Sequence, residues 1–277
     1  MNVLSSKKWS KILKLLLSIL IIYLLIITLF YIFQRNVIYK PLKEKISPSI
    51  TNITKVKEVK FKTKDGITLN SWYYLPKKDT VILYLHGNSN NIRTREPYME
   101  NYLKSGFGVF LLEYRGYGNN VGTPTEEGLY NDARAAVNFL KKQNIKPKDI
   151  IVLGESLGTA VAVQLATEYD FKGVILQSPF TSMVNVGAGK YPILPVNLLL
   201  TDKFLSINKI QKIKSPMLFI HGDKDTLIPV THMKELYNKF PGIKYKKIYK
   251  GYGHSDLPDY SDVVIKFINN IKNNQSN

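Results

Sequence analysis

Residues 150–169, which read IIVLGESLGTAVAVQLATEY, contain the signal that decides the fold of this chain. The apolar residues at 150–153 predict a buried strand, and the apolar spacing across 157–169 predicts a helix. Between them stands Gly154-Glu155-Ser156-Leu157-Gly158, a G-x-S-x-G motif. A strand, a sharp turn and a helix with serine at the apex expose the serine hydroxyl at the edge of a sheet. Ser156 is therefore the candidate nucleophile, and a serine that only begins the helix is the alternative.

Two backbone N–H groups are predicted to form an oxyanion site beside Ser156. One belongs to Leu157, at the start of the helix, where the helix dipole also favours negative charge. The other is expected from the loop HGNSN at 86–90, in which Asn88 is the predicted donor. His86, in the same loop, is interpreted as a structural residue that bonds the loop backbone.

The partners of the serine are expected in the order serine, acid, histidine along the ends of successive strands. His254 is the predicted base, because it follows both other groups and lies between the last strand and the last helix. The segment HGDKD at 221–225 supplies two candidate acids. Asp225 is the predicted one, since Asp223 is better suited to hold the turn through backbone bonds. The acid would fix the tautomer of His254 and stabilise its imidazolium form.

Apolar strands alternate with helical segments along the chain after position 55. The predicted strands are 56–62, 67–74, 81–85, 109–112, 150–153, 174–176, 217–220 and 245–249, and the predicted helices are 126–142, 157–169, 232–239 and 261–272. This alternation is typical of a mostly parallel sheet with helices on both faces. The predicted fold class is therefore α/β.

The composition narrows the possible chemistry. The chain of 277 residues has no cysteine, which excludes disulfides, thiolate metal sites and a cysteine nucleophile. No metal and no organic cofactor is expected, because a serine, a histidine and an aspartate need neither. The net charge is +18, but the basic residues are spread along the chain and are not interleaved with aromatics. A nucleic-acid partner is therefore not expected, whereas attraction to anionic lipid would suit a membrane-bound chain.

The N-terminal region contains a predicted single-pass membrane anchor at 15–33. These 19 residues carry no charge and would form a helix of about 28 Å, close to the thickness of a bilayer core. A cleaved signal peptide and a buried core helix are the alternatives. The run is longer than the roughly 7–15 apolar residues of a signal peptide. No small-x-small cleavage site follows it, and the first alanine of the chain is Ala133.

The predicted organisation places one domain behind this anchor. The parts are a basic flank at 1–14, the anchor at 15–33, a linker at 34–54, the α/β domain at 55–272 and a polar tail at 273–277. The basic residues near the span are Lys7, Lys8, Lys11 and Lys14 before it and Arg35, Lys40, Lys43 and Lys45 after it. The numbers tie, but the N-terminal amino group and the nearness of Lys11 and Lys14 favour an N-terminus inside. The domain is then predicted to lie outside the cytoplasm.

Several motifs together resemble the α/β-hydrolase superfamily. Within it, the chain is similar to membrane-anchored hydrolases described as serine-aminopeptidase-like and to their depalmitoylating eukaryotic relatives. The similar motifs are Phe33-Gln34-Arg35, Ile38-Tyr39-Lys40-Pro41, His86-Gly87-Asn88, Tyr114-Arg115-Gly116-Tyr117-Gly118, Glu126-Glu127-Gly128-Leu129 and Ser178-Pro179-Phe180-Thr181-Ser182. The resemblance covers about 33–267, implies the α/β-hydrolase fold, and places Ser156, Asp225 and His254 at the catalytic positions.

The chain departs from the family pattern at three places. Glu113 stands where aspartate is usual before Tyr-Arg-Gly, Asn119-Asn120 replaces a small residue or serine, and Ser255 replaces an asparagine after the histidine. None of these changes removes a catalytic group. They leave the substrate preference open.

Residues 178–215 leave room for only a short cap over the predicted site. Its apolar residues predict an acyl pocket or a surface that enters lipid, and ordinary packing under a loop is the alternative. The predicted function is a membrane-anchored serine hydrolase for small-molecule or lipid esters or thioesters. A serine peptidase of the aminopeptidase type and a non-catalytic binding protein on the same scaffold are the alternatives. The natural substrate and the oligomeric state stay open.

Overall fold

A central eight-stranded sheet organises the computed structural model, which describes residues 6–273. The predicted basic flank and polar tail lie partly outside the described residues, at 1–5 and 274–277. The strands are β1 Lys40–Pro41, β2 Val56–Lys62, β3 Thr68–Tyr74, β4 Val81–Leu85, β5 Ser89–Asn90, β6 Gly108–Leu112, β7 Ile150–Glu155, β8 Gly173–Gln177, β9 Met217–Gly222 and β10 Lys244–Tyr249.

The strand order is β10-β9-β8-β7-β4-β6-β3-β2. Strand β3 runs antiparallel to both of its neighbours, β2 and β6, and all other neighbouring strands of this sheet pair in parallel. The prediction of a mostly parallel sheet is confirmed. In a parallel sheet all carboxyl ends meet at one edge, so the loops after β4, β7, β9 and β10 come together there.

Helices cover both faces of this sheet, as predicted. They are α1 Ser6–Ile38, α2 Glu100–Lys104, α3 Glu126–Lys142, α4 Leu157–Ala166, α5 Met183–Lys190, α6 Val196–Leu199, α7 Val230–Lys239 and α8 Ser261–Asn273. Alternate residues of β4 point to opposite faces of the sheet and so belong to two different hydrophobic cores. Leu83 and Leu85 pack into the core with α3, α4 and α7, whereas Ile82 and Tyr84 pack into the core with α2 and α8.

Helix α1 extends five residues beyond the predicted anchor and enters the predicted linker at 34–54. Its last turns are held by the domain: the Gln34 side chain donates to the carbonyl of Leu199 at 3.2 Å and accepts the N–H of Thr201 at 2.8 Å. Strand β1 follows directly and pairs in parallel with β5. Ile38 and Tyr39 are buried, so the first part of the predicted linker is packed structure.

A buried ion pair holds the loop after β6. The backbone N–H of Arg115 donates to Asp132 at 2.8 Å, and its guanidinium donates to the same carboxylate at 2.7 and 2.9 Å. The guanidinium also contacts Asp65. In the same loop, the Tyr117 hydroxyl donates to the carbonyl of Asn88 at 2.8 Å. The ion pair thereby positions the loop of the predicted oxyanion donor.

We expect Asp132→Ala to lower the free energy of unfolding by about 3–5 kcal/mol, because it removes the buried partner of a guanidinium. Thermal unfolding of the full chain in detergent measures this loss. Glu127→Ala is the matched control: Glu127 is on the same helix and pairs with Arg134 at the surface, so its loss should cost less than about 1 kcal/mol. Equal losses in the two variants would contradict the assignment.

Candidate active site

Ser156 occupies the sharp turn between β7 and α4 with a strained backbone. Its φ is +50° and its ψ is −114°, a conformation that non-glycine residues rarely adopt. Hydrogen bonds hold it there. The N–H of Ser156 donates to the carbonyl of Gln177 at 2.9 Å, and its carbonyl accepts the N–H of Thr159 at 2.9 Å. The turn presents the serine side chain above the carboxyl edge of the sheet.

The two glycines of the motif permit a very close backbone approach. A Cβ at Gly158 would lie 2.0 Å from the carbonyl oxygen of Leu85 in β4. A Cβ at Gly154 would lie 2.5 Å from the carbonyl oxygen of Gly158. Both contacts involve backbone atoms, which cannot swing away as a flexible side chain can. Helix α4 therefore begins directly against the end of β4.

The structure brings together the three residues predicted to form the triad. Nε2 of His254 lies 2.9 Å from Oγ of Ser156, and Nδ1 of His254 lies 2.7 Å from Oδ2 of Asp225. The order along this line is hydroxyl, imidazole and carboxylate. In this geometry the carboxylate accepts the Nδ1 proton, which leaves Nε2 free to accept the proton of the serine hydroxyl.

Asp225 is buried and heavily hydrogen-bonded. Its other oxygen accepts the backbone N–H groups of Leu227 at 3.0 Å and Ile228 at 2.8 Å. Burial by itself raises the pKa of Asp225, but hydrogen bonds from two imidazoles and a backbone N–H hold this pKa well below its ordinary value. The carboxylate therefore stays ionised beside His254. Asp223, the other candidate acid, accepts the N–H of Gly251 at 2.7 Å, so its side chain bonds the loop after β10 and not the local turn.

A second histidine shares the carboxylate and was missed by sequence reasoning. Nε2 of His221 lies 3.1 Å from Oδ2 of Asp225 and 2.8 Å from the carbonyl oxygen of Ile228. The side chain is fully buried, so His221 contacts the Asp225 carboxylate from inside the domain and does not face the cavity. Its position at the end of β9, four residues before Asp225, is the signal that could have identified it.

A partly buried ion pair on the flank of the turn was also missed. The guanidinium of Arg95 donates to both carboxylate oxygens of Glu155, at 2.7 and 3.0 Å. The Tyr84 hydroxyl adds a third bond at 2.7 Å. Burial raises the pKa of Glu155, and the Arg95 guanidinium more than offsets this, so the net pKa lies below its ordinary value. The pair joins residues sixty positions apart, which no local pattern could indicate.

The predicted oxyanion donors lie beside the serine. Leu157 and Asn88 both line the same cavity as Ser156 and His254. Within residues 6–273, no protein acceptor engages the N–H of Leu157 or the N–H of Asn88. Both groups are thus free to donate to a bound oxygen.

The loop of Asn88 is held from three directions. The Asn88 carbonyl accepts the N–H of Lys40 at 2.8 Å and also accepts the Tyr117 hydroxyl. The Asn88 side chain donates to the carbonyl of Ile38 at 3.0 Å. Nδ1 of His86 lies 2.7 Å from the carbonyl oxygen of Gly87, in agreement with its predicted structural role. Within residues 6–273, no three His, Asp or Glu side chains converge to hold a metal ion.

Comparison with known proteins identifies the family. The family profile described as serine aminopeptidase, S33, matches residues 76–206. An uncharacterized protein of Mycobacterium tuberculosis is 36% identical over 235 residues, which cover 83% of this chain and 84% of that protein. The alpha/beta hydrolase domain-containing protein WAV2 of Arabidopsis thaliana is 30% identical over 239 residues, 77% of each chain.

Solved structures agree with the fold. An esterase from Pyrococcus furiosus matches with a TM-score of 0.72 and 22% identity, and the match covers 85% of this chain and 98% of that one. The chain belongs to the α/β-hydrolase superfamily. The prediction of an enzyme of the hydrolase class is confirmed.

We expect Gly158→Ala to slow the reaction of Ser156 with a fluorophosphonate by at least roughly 10²-fold, because the added Cβ pushes α4 away from β4 and displaces the serine. The rate of covalent labelling measures this effect. Gly189→Ala is the matched control, since among the described residues a Cβ there meets no atom within 4 Å beyond its chain neighbours and its own helix backbone. An unchanged labelling rate in Gly158→Ala would contradict the role given to the close approach.

Proposed function

We propose that this chain is a membrane-anchored serine hydrolase that cleaves carboxylic esters or thioesters of acyl groups. The single observation that carries the proposal is the position of His254, with one ring nitrogen at 2.9 Å from Ser156 and the other at 2.7 Å from Asp225. A non-catalytic scaffold has no need of a hydroxyl, an imidazole and a buried carboxylate in hydrogen-bonding line.

The mechanism follows from these contacts. Oγ of Ser156 attacks the acyl carbonyl while Nε2 of His254 takes its proton, and the N–H groups of Leu157 and Asn88 stabilise the oxyanion. His254 then gives the proton to the leaving alcohol or thiol, and the C–O or C–S bond breaks. A water molecule attacks the acyl-enzyme with His254 as base again, which releases the acid and restores the serine.

The cavity favours esters or thioesters over peptides with a free amino terminus. An aminopeptidase needs a carboxylate available to bind the substrate ammonium group. The carboxylates that line this cavity are Glu155 and Asp259, and both already have partners. Glu155 is bound by Arg95, and Asp259 accepts from Asn101 at 2.7 Å. The aminopeptidase alternative therefore lacks a recognition group among the described lining residues.

Helix α1 is the proposed anchor. Within its segment Lys8–Ile38, the most apolar window of 18 residues has a mean hydropathy of 2.9, and none of that window is buried. At 1.5 Å per residue the segment is about 46 Å long, which exceeds a bilayer core. Hydrogen bonds join it to the domain: Arg35 to Asp202 at 3.1 Å and Tyr23 to the carbonyl of Ile193 at 2.8 Å. These contacts support a retained anchor over a cleaved signal peptide.

We also propose that the domain lies outside the cytoplasm, because Lys11 and Lys14 adjoin the N-terminal end of the span. Protease added to intact spheroplasts should then digest the domain. Digestion only after lysis would place the domain inside.

Covalent labelling by a fluorophosphonate tests the nucleophile. In isolated membranes, we expect the wild-type chain to be labelled and Ser156→Ala to be unlabelled, because the probe reacts only with an activated serine. His254→Ala should lose nearly all labelling, since His254 is the one side chain among residues 6–273 that hydrogen-bonds the hydroxyl of Ser156. Absence of labelling in folded wild-type protein would overturn the proposed function.

A matched pair of aspartate variants tests the acid. We expect Asp225→Asn to lower kcat for a soluble ester by about 10⁴-fold, because an amide at this position favours the wrong tautomer of His254. Asp223→Asn changes the same functional group two residues away, and its kcat should stay within a few-fold of the wild type. Comparable losses in both variants would contradict the assignment of Asp225.

A further inference from the structure

The wall of the active-site cavity is shared between the domain and the anchor helix. The cavity has a volume of about 590 Å³ and is lined by Ser156 and His254, within the range of small-molecule sites. Four residues of α1 also line it. They are Phe30, Gln34, Val37 and Ile38, which recur at helical spacing and so form one face of α1. The other side of the cavity comes from the cap helices α5 and α6.

The cap reaches far along α1, to a level inside the proposed membrane span. We call residues 191–200 the cap tip. The Tyr23 hydroxyl donates to the carbonyl of Ile193 at 2.8 Å, and the rings of Phe30 and Tyr191 meet edge to face at 5.1 Å. Tyr23 lies ten residues before the end of the uncharged span at 33, which is about 15 Å along a helix. Half of a bilayer core has that depth.

The surface of the cap tip suits lipid. The segment reads YPILPVNLLL and carries no charge. Ile193 is 74% exposed and Leu198 is 81% exposed, and exposed apolar patches mark surfaces that bind a partner or a membrane. Lys190 stands at the edge of the tip, where its long side chain can extend toward head groups.

Most backbone N–H groups of the cap tip are paired, as lipid favours. In hydrocarbon, each unpaired N–H or carbonyl is costly. Two of the ten residues are prolines without an N–H. Six of the other eight N–H groups donate to backbone carbonyls: those of Tyr191, Leu194, Val196, Leu198, Leu199 and Leu200.

The anchor supplies further partners to the cap tip. The carbonyl of Ile193 accepts from Tyr23, and the carbonyl of Leu199 accepts from Gln34. Polar side chains of α1 thus point at carbonyls of the cap tip, where lipid could not satisfy them.

We propose that the cap tip lies in the bilayer beside α1, and that the cavity between them holds the acyl chain of a bilayer-resident ester or thioester. This inference rests on the proposed function. It adds that the substrate is a lipid-like ester or thioester and that it enters the site from the bilayer. The substrate carbonyl sits at Ser156, and its chain extends between α5, α6 and the face of α1 that carries Val37. The substrate then reaches the serine from the membrane and does not have to enter water.

Spin labelling measures the position of the cap tip without any catalysis. The chain has no cysteine, so Ile193→Cys and Leu198→Cys each carry one nitroxide in the full chain reconstituted in phosphatidylcholine vesicles. We expect oxygen, which concentrates in lipid, to relax both labels more than a water-soluble nickel chelate does. Ile243→Cys is the matched control: Ile243 is 55% exposed and precedes β10, at the sheet edge opposite the active site, where the chelate should dominate.

Two outcomes would overturn the placement of the cap tip in lipid. Stronger relaxation by the chelate at 193 and 198 would place the tip in water. Weak relaxation by both reagents would mean that protein, such as a second copy of this chain, covers it.

A second pair of variants tests the anchor as a wall of the acyl site. We expect Val37→Trp to lower the ratio of kcat/KM for a hexadecanoyl ester in vesicles to that for a soluble acetyl ester by roughly tenfold or more, because the indole overfills the chain site. Ile32→Trp is the control, since Ile32 is on the same helix, is 60% exposed and does not line the cavity. An unchanged ratio in Val37→Trp would overturn the inference.

The two proposals can fail separately. If wild-type protein hydrolyses neither ester and Ser156 takes up no fluorophosphonate, the proposed function fails, while the spin-label result still reports where the cap tip lies. In another outcome, both esters are hydrolysed while Val37→Trp keeps the wild-type ratio of kcat/KM for the hexadecanoyl and acetyl esters. The proposed hydrolase function is then supported, and the acyl site between the cap tip and α1 is contradicted.

Discussion

The approach of Gly158 to the carbonyl oxygen of Leu85 is the constraint on which the site depends. It sets the start of α4 against the end of β4, with no room for a single methyl group. Two candidate oxyanion donors consequently lie on adjoining segments, Leu157 at the helix start and Asn88 just beyond the strand. A wider separation would leave Ser156 with one donor only. Because Gly158 has no side chain, α4 can approach β4 closely, and this approach sets the geometry of the site.

The strain at Ser156 is offset by the structure around it. A non-glycine residue at φ +50° costs on the order of 1–3 kcal/mol. Backbone bonds to Gln177 and Thr159 hold the residue on one side, and the Glu155 carboxylate, clamped by Arg95, holds the other. The serine hydroxyl therefore keeps its position without help from a substrate. A nucleophile that is already held in place reacts faster, because the turn does not have to form during the reaction.

Local patterns predicted most of the fold because its signals are local. Apolar runs of strand length located the strands of the main sheet, and the helix predicted at 126–142 coincides with α3. The glycines and Ser156 predicted the turn, because sterics at neighbouring positions dictate it. The predicted helix 157–169 was too long, since α4 ends at Ala166 and the chain turns at Thr167.

Long-range contacts account for what the patterns did not predict. The pair of Arg95 and Glu155 and the placement of His221 under Asp225 depend on which strands become neighbours. The packed part of the predicted linker has the same origin. Pro41 and Pro48 suggested irregular chain, but Gln34 bonds residues of the cap that lie 165 or more positions later. The roles of Ser156, Asp225 and His254 in catalysis remain predictions, now with a defined geometry.

The end of the anchor helix and the candidate oxyanion loop are parts of one hydrogen-bonded unit. The carbonyl of Ile38, in the last turn of α1, accepts from the Asn88 side chain, and the N–H of Lys40 donates to the Asn88 carbonyl. Asp202 ties the same turn to the cap through Arg35 and Tyr39. If α1 moved along its axis by one turn, about 5.4 Å, all of these bonds would break. In the proposed membrane-anchored state, the depth of α1 in the bilayer and the geometry around Ser156 therefore could not vary independently. An anchor joined by a flexible linker would only raise the local concentration of enzyme at the bilayer. Helix α1 also lines the cavity, so as the proposed anchor it would contribute to the shape of the proposed acyl site.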